Sequence, residues 1–401
     1  MRDSMDRRKG KKIRACEEEA KRLLTDLPTG VVIEILSWLP LKSVFNCRCV
    51  CKTWLQIISD PHFAKLHLSR SAISILIHGR DPLVERRYLR LYQIVKALDS
   101  GFIRIEEMVF GPRLNLPEYS PMISLVNSCN GLVCLHEFYE RDLLYVCNPV
   151  LGEFITIKVP EEDNRDGIAF CFGFSAKTNQ YKVLQTFCVN GEEPKAEVYT
   201  IGTGSWRSLG NAPISIVDQG WCFDAYLHGA FHWVTYSDDG NSKDQIVCFD
   251  FEKDMFGEVP FFRFPCGRAR VTTLKLGVIE DCLSVCGYPD HGSNHFEIWV
   301  MKDYGVKESW TMQFRIKHEG FHGYGAFCDW FYPLILLKNG RMLMSYGDDL
   351  VVCYNNKKKR SRATEIFCTV DGDSIGSFDT VAYTPCFISL KDVAKGEQIS
   401  R

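Results

Sequence analysis

Long hydrophobic runs are missing from these 401 residues: nowhere do eighteen apolar side chains follow one another, and the basic residues at the start lead into no apolar stretch. Neither a membrane-spanning helix nor a secretory signal is indicated, which points to a reducing compartment. An excess of either charge is missing too. The 48 Lys and Arg stand against 50 Asp and Glu, a formal net charge of -2, so no global positive field exists to neutralise phosphates. No GxGxxG follows a strand pattern and no GxxxxGK[ST] occurs, so a dinucleotide- or nucleoside-triphosphate-binding enzyme has no anchor.

Apolar residues are plentiful at 46%, against 24% charged, enough hydrophobic area to offset the entropy of ordering the chain; the length suggests two or three domains. The 18 Cys include Cys129, Cys134, Cys147, Cys171, Cys248, Cys286, Cys353 and Cys368, set among Val, Leu, Phe and Ile. There a thiol acts as a small buried hydrophobe, and disulfides are not expected. Cys47, Cys49 and Cys51 form CxCxC without a second pair. Alternate residues of a helix point about 200° apart, so packing is expected rather than one tetrahedral ion. His228 and His232 have i,i+4 spacing in a strand-and-turn pattern, without the helix face that zinc needs. No catalytic, cofactor or metal residue is assigned.

Charge is uneven near the start, where residues 1–14 carry seven Lys or Arg against two acids, the densest part being Arg7, Arg8, Lys9, Lys11, Lys12 and Arg14. This reads as a disordered solubilising tail or as a nuclear-import segment, with a nuclear or cytoplasmic location, or both. A second basic run, Lys357 to Arg362, falls in an expected hairpin turn.

Helical spacing governs residues 16–68. In CEEEAKRLL, Glu17 and Glu18 precede Lys21 and Arg22 by four positions and support a short lead-in helix. In LPTGVVIEILSWLPLKSV, Pro28 suits a first turn; Val31, Ile35 and Leu39 recur every four residues, Val32 and Leu36 widen the stripe, and Pro40 ends it. Next, Val44, Cys47 and Cys51 share one face and Val50, Trp54 and Ile58 another, until Asp60-Pro61 starts a last turn through Phe63, Leu66 and Leu68. Three or four short helices cannot enclose so many large apolar side chains. An apolar face left for a partner is expected.

From about residue 71 the period changes to short alternating or β-branched runs such as GLVCLHEF, LLYVCNP, YKVLQTF and QIVCFDF, punctuated by Gly, Asn, Asp and Pro. Residues 82–98 are ambiguous between a helix and irregular strands. Taking Val146, Val198, Val247, Trp299 and Val352 as equivalent gives separations of 52, 49, 52 and 53 residues. A unit of three or four strands at that period must stack on its neighbours, and radial closure removes exposed edges. A propeller of about six blades is expected, with a β-sandwich or irregular array as the alternative. Pro289 to His295 and His318 to Trp330 are its recognition-loop candidates, the latter also readable as core or blade turns.

These residues carry a family likeness. Leu27-Pro28, Glu34-Ile35-Leu36, Leu39-Pro40-Leu41-Lys42-Ser43, Arg48-Cys49-Val50-Cys51-Lys52 and Trp54 resemble the F-box of plant proteins in order. SCNGLVCL, CNPVLGEF, FGFSAKTNQYKVLQ, EVYTIGTGSWRSL, LHGAFHWV and FISLKDVAKGE resemble the F-box-associated domain. The resemblance implies an α+β multidomain chain: a basic tail over 1–22, a helical F-box over 23–68, a connecting segment over 69–99 and an all-β, propeller-like domain over 100–397. It implies a non-catalytic substrate receptor of a Skp1-cullin-F-box ubiquitin ligase, which binds a Skp1-like adaptor, through it cullin and a RING subunit, and a protein client. Leu27, Pro28, Ile35, Leu36, Leu39, Pro40, Leu41, Val44, Val50, Cys51 and Trp54 would make or shape the adaptor surface. The alternative is a non-degradative propeller scaffold or inhibitor. Gly30-Val31, Trp38 and Asn46 depart from the pattern; Gly30 weakens the first turn by up to about 1 kcal/mol.

Overall fold

The computed structural model describes residues 27–80, 87–95, 104–108, 123–137, 142–160, 165–213, 225–235, 245–262, 274–289, 295–317, 331–346, 350–356, 360–363 and 378–400. The basic segment Arg7 to Arg14, the lead-in helix and most of both recognition-loop candidates lie outside them, as do Lys357, Lys358, Lys359 and Cys368. The chain divides into two compact units, residues 1–71 and 72–401.

Among the described residues, four helices build the first unit: α1 (Thr29–Ser37), α2 (Leu41–Cys47), α3 (Lys52–Ile58) and α4 (Pro61–Arg70). Their starts follow from local chemistry. Pro28 and Pro40 are N-caps of α1 and α2 with extended ψ, one residue before the first turn where Pro28 was expected, and their carbonyls open the helical ladders. The Cys51 thiol accepts from the Trp54 N–H at 3.4 Å to cap α3. Asp60 accepts from His62 N at 2.7 Å, with Pro61 suited to the first position of α4. The core is Val32, Leu36, Leu41, Val44, Ile57, Ile58, Phe63 and Ala64. Buried His67 of α4 places Nε2 3.2 Å from the Leu39 carbonyl, tying α4 to the α1–α2 turn.

The second unit is a six-bladed propeller of antiparallel sheets. Blade 1 draws on both ends of the unit: Phe378–Tyr383 lies beside Ser74–Arg80, followed outward by Arg87–Val95 and Arg104–Glu107. Blade 2 runs Ile123–Cys129, Leu132–Glu137, Leu143–Asn148 and Glu153–Lys158, with Ile399–Ser400 as a fifth strand. Blade 3 is Arg165–Ser175, Gln180–Val189, Lys195–Thr200 and Trp206–Asn211. Blade 4 is Tyr226–Leu227, Ala230–Thr235, Gln245–Asp250 and Met255–Val259. Blade 5 is Lys275–Ile279, Cys282–Gly287, His295–Met301 and Trp310–Lys317; blade 6 is Phe331–Leu336, Arg341–Tyr346, Leu350–Asn355 and Arg360–Ala363. Neighbouring blades meet through their first two strands, and Phe378–Tyr383 adjoins both Phe331–Leu336 and Ile123–Cys129, closing the ring.

Val146, Val198, Val247, Trp299 and Val352 all lie in the third strand of their blades, so the period near fifty is one blade. The connecting segment expected over 69–99 needs correction. Its β-branched and aromatic residues form two strands of blade 1, and the ambiguous stretch is strand at Arg87–Val95.

Side chains bolt several blades to the next. Asn127 donates to the Phe172 carbonyl and accepts from its N–H, both at 2.8 Å, joining blades 2 and 3. Tyr226 Oη does the same to Phe174 from blade 4, and buried Lys182 donates to the Phe251 carbonyl at 3.0 Å. Trp206 and Trp310 open the fourth strands of blades 3 and 5, each after a Ser, and donate to the Lys158 and Pro260 carbonyls of the preceding blade. Beyond the closing strand, the Ser389 hydroxyl and Leu390 N–H donate to Glu153 of blade 2, and Glu397 accepts from Tyr199 of blade 3.

Candidate functional site

The helical unit carries the apolar surface that its sequence promised, but on different residues. About 100° around α1 separates two stripes: Val32 and Leu36 face the core, while Val31, Ile35 and Trp38 point outward with 43%, 51% and 67% of their surface exposed. Val50, in the turn after α2, is 63% exposed, and Leu55 of α3 is exposed as well. Of the residues assigned to the adaptor surface, Pro28, Ile35, Pro40, Val50 and Cys51 are exposed, and Leu27, Leu39 and Trp54 are half-buried. Leu36, Leu41 and Val44 are core, so they shape the face from beneath rather than present it.

Trp38 and Leu55 were missed as surface residues. The i, i+4, i+7 spacing of Val31, Ile35 and Trp38 is the signal that finds the stripe. Trp38 is also held. Its Nε1 donates to Glu34 Oε1 at 2.9 Å, and the Arg70 guanidinium of α4 stacks 4.5 Å from the ring centroid. Arg70 pairs with Glu34 at 3.0 Å and reaches the Ser37 hydroxyl, which donates to the Glu34 carbonyl at 2.8 Å. The indole N–H first, and the guanidinium second, hold the Glu34 carboxyl below the usual carboxylate range. Over residues 27–71, five Lys or Arg stand against two acids, Glu34 and Asp60.

The propeller presents two unlike ends. First and second strands are joined by tight turns, two residues long at 130–131, 228–229 and 280–281. At the opposite end, five of the six blade-to-blade connections, 108–122, 212–225, 260–274, 318–330 and 364–377, are thirteen to fifteen residues long, and the sixth, 159–164, has six.

Two strings of catalytic type lie in those connections, and the expectation of no metal or catalytic residue passes over them. His318, Glu319 and His322 spell HExxH, and Gly372, Ser374 and Gly376 spell GxSxG. Both fall outside the described residues. HExxH works from one helix face and GxSxG from a strand-to-helix elbow, whereas each of these is flanked on both sides by blade strands. Among the described residues, no three His, Cys, Asp or Glu side chains come together as a metal site, thirteen cysteines are thiols rather than disulfides, and no helix is long and apolar enough to cross a membrane.

Comparison with known proteins matches these two units to two family models: an F-box domain over residues 24–66 and an F-box associated beta propeller domain over residues 85–387. Relatives from Arabidopsis thaliana include F-box protein At3g07870, 28% identical over 83% of this chain and 86% of that protein. F-box/kelch-repeat protein At3g23880 is 27% identical over 71% and 78%, and F-box protein DOR 27% identical over 69% and 71%. With an F-box domain followed by an F-box associated beta propeller domain that covers most of its length, the chain belongs to the F-box proteins with an F-box associated beta propeller domain.

Proposed function

We propose that this protein is the substrate receptor of a Skp1-cullin-F-box ubiquitin ligase, its helical unit docking on a Skp1-type adaptor and its propeller binding the protein to be ubiquitinated. The exposed stripe of Val31, Ile35 and Trp38, with Val50, carries the reading: a folded unit whose core is already filled still leaves large apolar side chains in water. A partner that covers them regains roughly 25 cal/mol for each Å² of apolar surface buried.

The client is assigned to the end of the ring from which the thirteen- to fifteen-residue connections leave. Rigid blades can present variable loops there, while the tight-turn end has little room for variation. The receptor does no bond chemistry of its own. It raises the effective concentration of a client lysine near a ubiquitin-charged enzyme.

Affinity purification with a stabilised ligase tests both ends at once. From the Leu39→Ala, Trp54→Ala double variant, adaptor and cullin are expected to vanish while clients persist. Titration of the full chain into a purified Skp1-type adaptor that produces no heat, with the chain folded, overturns the reading. Client levels that do not rise when the protein is lost would favour a non-degradative scaffold instead.

A further inference from the structure

We propose that Trp38 is a pre-positioned aromatic anchor for the adaptor and that Arg70 and Glu34 are its positioning residues; this rests on the adaptor reading above. Among the described residues of the helical unit Trp38 is the most exposed large apolar side chain, and it contributes nothing to the core, which α1 supplies through Val32 and Leu36. Three neighbouring side chains nevertheless hold it. Glu34 satisfies the indole N–H, Arg70 covers one ring face, and the Glu34–Arg70 pair with Ser37 ties that arrangement across α1 and α4.

Such an arrangement suits binding better than stability. A held ring has already lost the freedom that association costs, and Trp and Arg dominate the energetics of protein interfaces. Trp38 also extends the Val31–Ile35 stripe by one turn, so a partner seated on that stripe meets the ring. The net charge of the helical unit indicates the partner's chemistry. With five basic residues against two acids over 27–71, the matching surface is an apolar pocket rimmed by carboxylates.

Calorimetry with the full chain and a purified Skp1-type adaptor tests this, with far-UV circular dichroism confirming that each variant is folded. Trp38→Ala and Trp38→Lys, which keeps a long exposed side chain, are each expected to weaken binding 10- to 100-fold, by the loss of a central contact. Trp38→Phe should lose less than tenfold, since the ring remains. Arg70→Ala should weaken binding several-fold, Arg70→Lys should restore only the part owed to the ion pair with Glu34, and Arg70→Ala should add nothing in the Trp38→Ala background. Equal losses from Arg70→Ala in both backgrounds would show a merely structural role and overturn the positioning assignment. Folded Trp38→Ala and Trp38→Lys proteins that bind within twofold of wild type overturn the anchor but leave the adaptor reading standing. A wild-type chain that binds no adaptor sinks both. A dimer in sedimentation that Trp38→Ala dissociates assigns the stripe to a second copy and overturns the proposal as well.

Discussion

Four helices of seven to ten residues satisfy most of their backbone groups within residues 27–71, whereas each blade of the propeller leaves strand edges and two apolar faces that only its neighbours can cover. The helical unit can therefore stop with an apolar stripe in water at the cost of side-chain hydration alone. The ring cannot stop. Phe378–Tyr383 must return across some three hundred residues to pair with Ser74–Arg80, and Ile399–Ser400 then covers the outer edge of blade 2. Incompleteness is thus available to the small unit as a binding device, while the large one keeps its variation in connections that closure does not need. The same contrast orders folding, because local helical contacts form before the long-range pairing that closes the ring.

The largest expected effect strikes closure. Gly131, at φ +79° in the turn of blade 2, has no room for a Cβ, which would overlap the Cys386 side chain beyond the closing strand. Gly131→Ala combines left-handed strain with overpacking and should cost about 4 kcal/mol of propeller stability. Gly191→Ala, at φ +72° with no atom nearby, should cost only about 1 kcal/mol. Denaturant unfolding of both variants checks this, and equal losses would mean that the closing contact is unimportant. Leu36→Ala probes the other unit. Its side chain is fully buried beneath the α1 stripe, so about 3 kcal/mol should be lost from the helical transition while the propeller transition stays where it was. One merged shift would break the separation of the two units.

Acid sharpens the comparison further. His232 is buried between Ala225, whose carbonyl is 2.8 Å from Nδ1, and Tyr304, whose hydroxyl is 2.8 Å from Nε2. Burial first, and nearby His228 to a lesser degree, bring its pKa from 6.5 down to about 4, against the pull of the Ala225 hydrogen bond. The unfolded chain takes that proton near 6.5 and the folded chain only near 4, so stability is complete above 6.5 and falls as pH drops between those values. About 2 kcal/mol should go from the propeller between pH 7 and 5, and His232→Asn should flatten that slope. His67 of the helical unit is also shifted down by burial, so its unit weakens in the same direction.

How much of this was legible depended on how local its cause is. Five of the six blades announced themselves through their repeat, with all five marked positions falling in third strands, because each blade is one continuous stretch of chain. Blade 1 did not, since its first strand comes from the far end and pairing across that distance leaves no local mark. The start at Pro28 was legible to within a residue, while Pro40, read only as the stop of α1, proves to be the N-cap of α2, since proline keeps a helix from extending backward past it. On α1 the apolar excess was visible, but Val31 and Val32 differ by only 100° around the helix, and sequence alone does not say which of two adjoining stripes meets the core. The bolts Asn127, Lys182 and Tyr226 were invisible because a polar residue in a strand reads as surface until its neighbour is known.

The smallest predicted effect is the most discriminating. Val50 is exposed in the turn after α2, and Val50→Ala removes two methyl-sized groups that touch mostly water, so the folded helical unit should change by less than about 0.5 kcal/mol. Covered by an adaptor, the same atoms would be worth about 1 kcal/mol, a five- to tenfold change in affinity. Core residue Val44 behaves oppositely, since Val44→Ala lowers stability and reaches the adaptor only through unfolding. Measuring affinity and unfolding on the two variants therefore separates the face from what lies beneath it. Were Val50→Ala to leave affinity intact while the wild-type chain binds, the contact would lie along α1 alone and the turn after α2 would fall outside it.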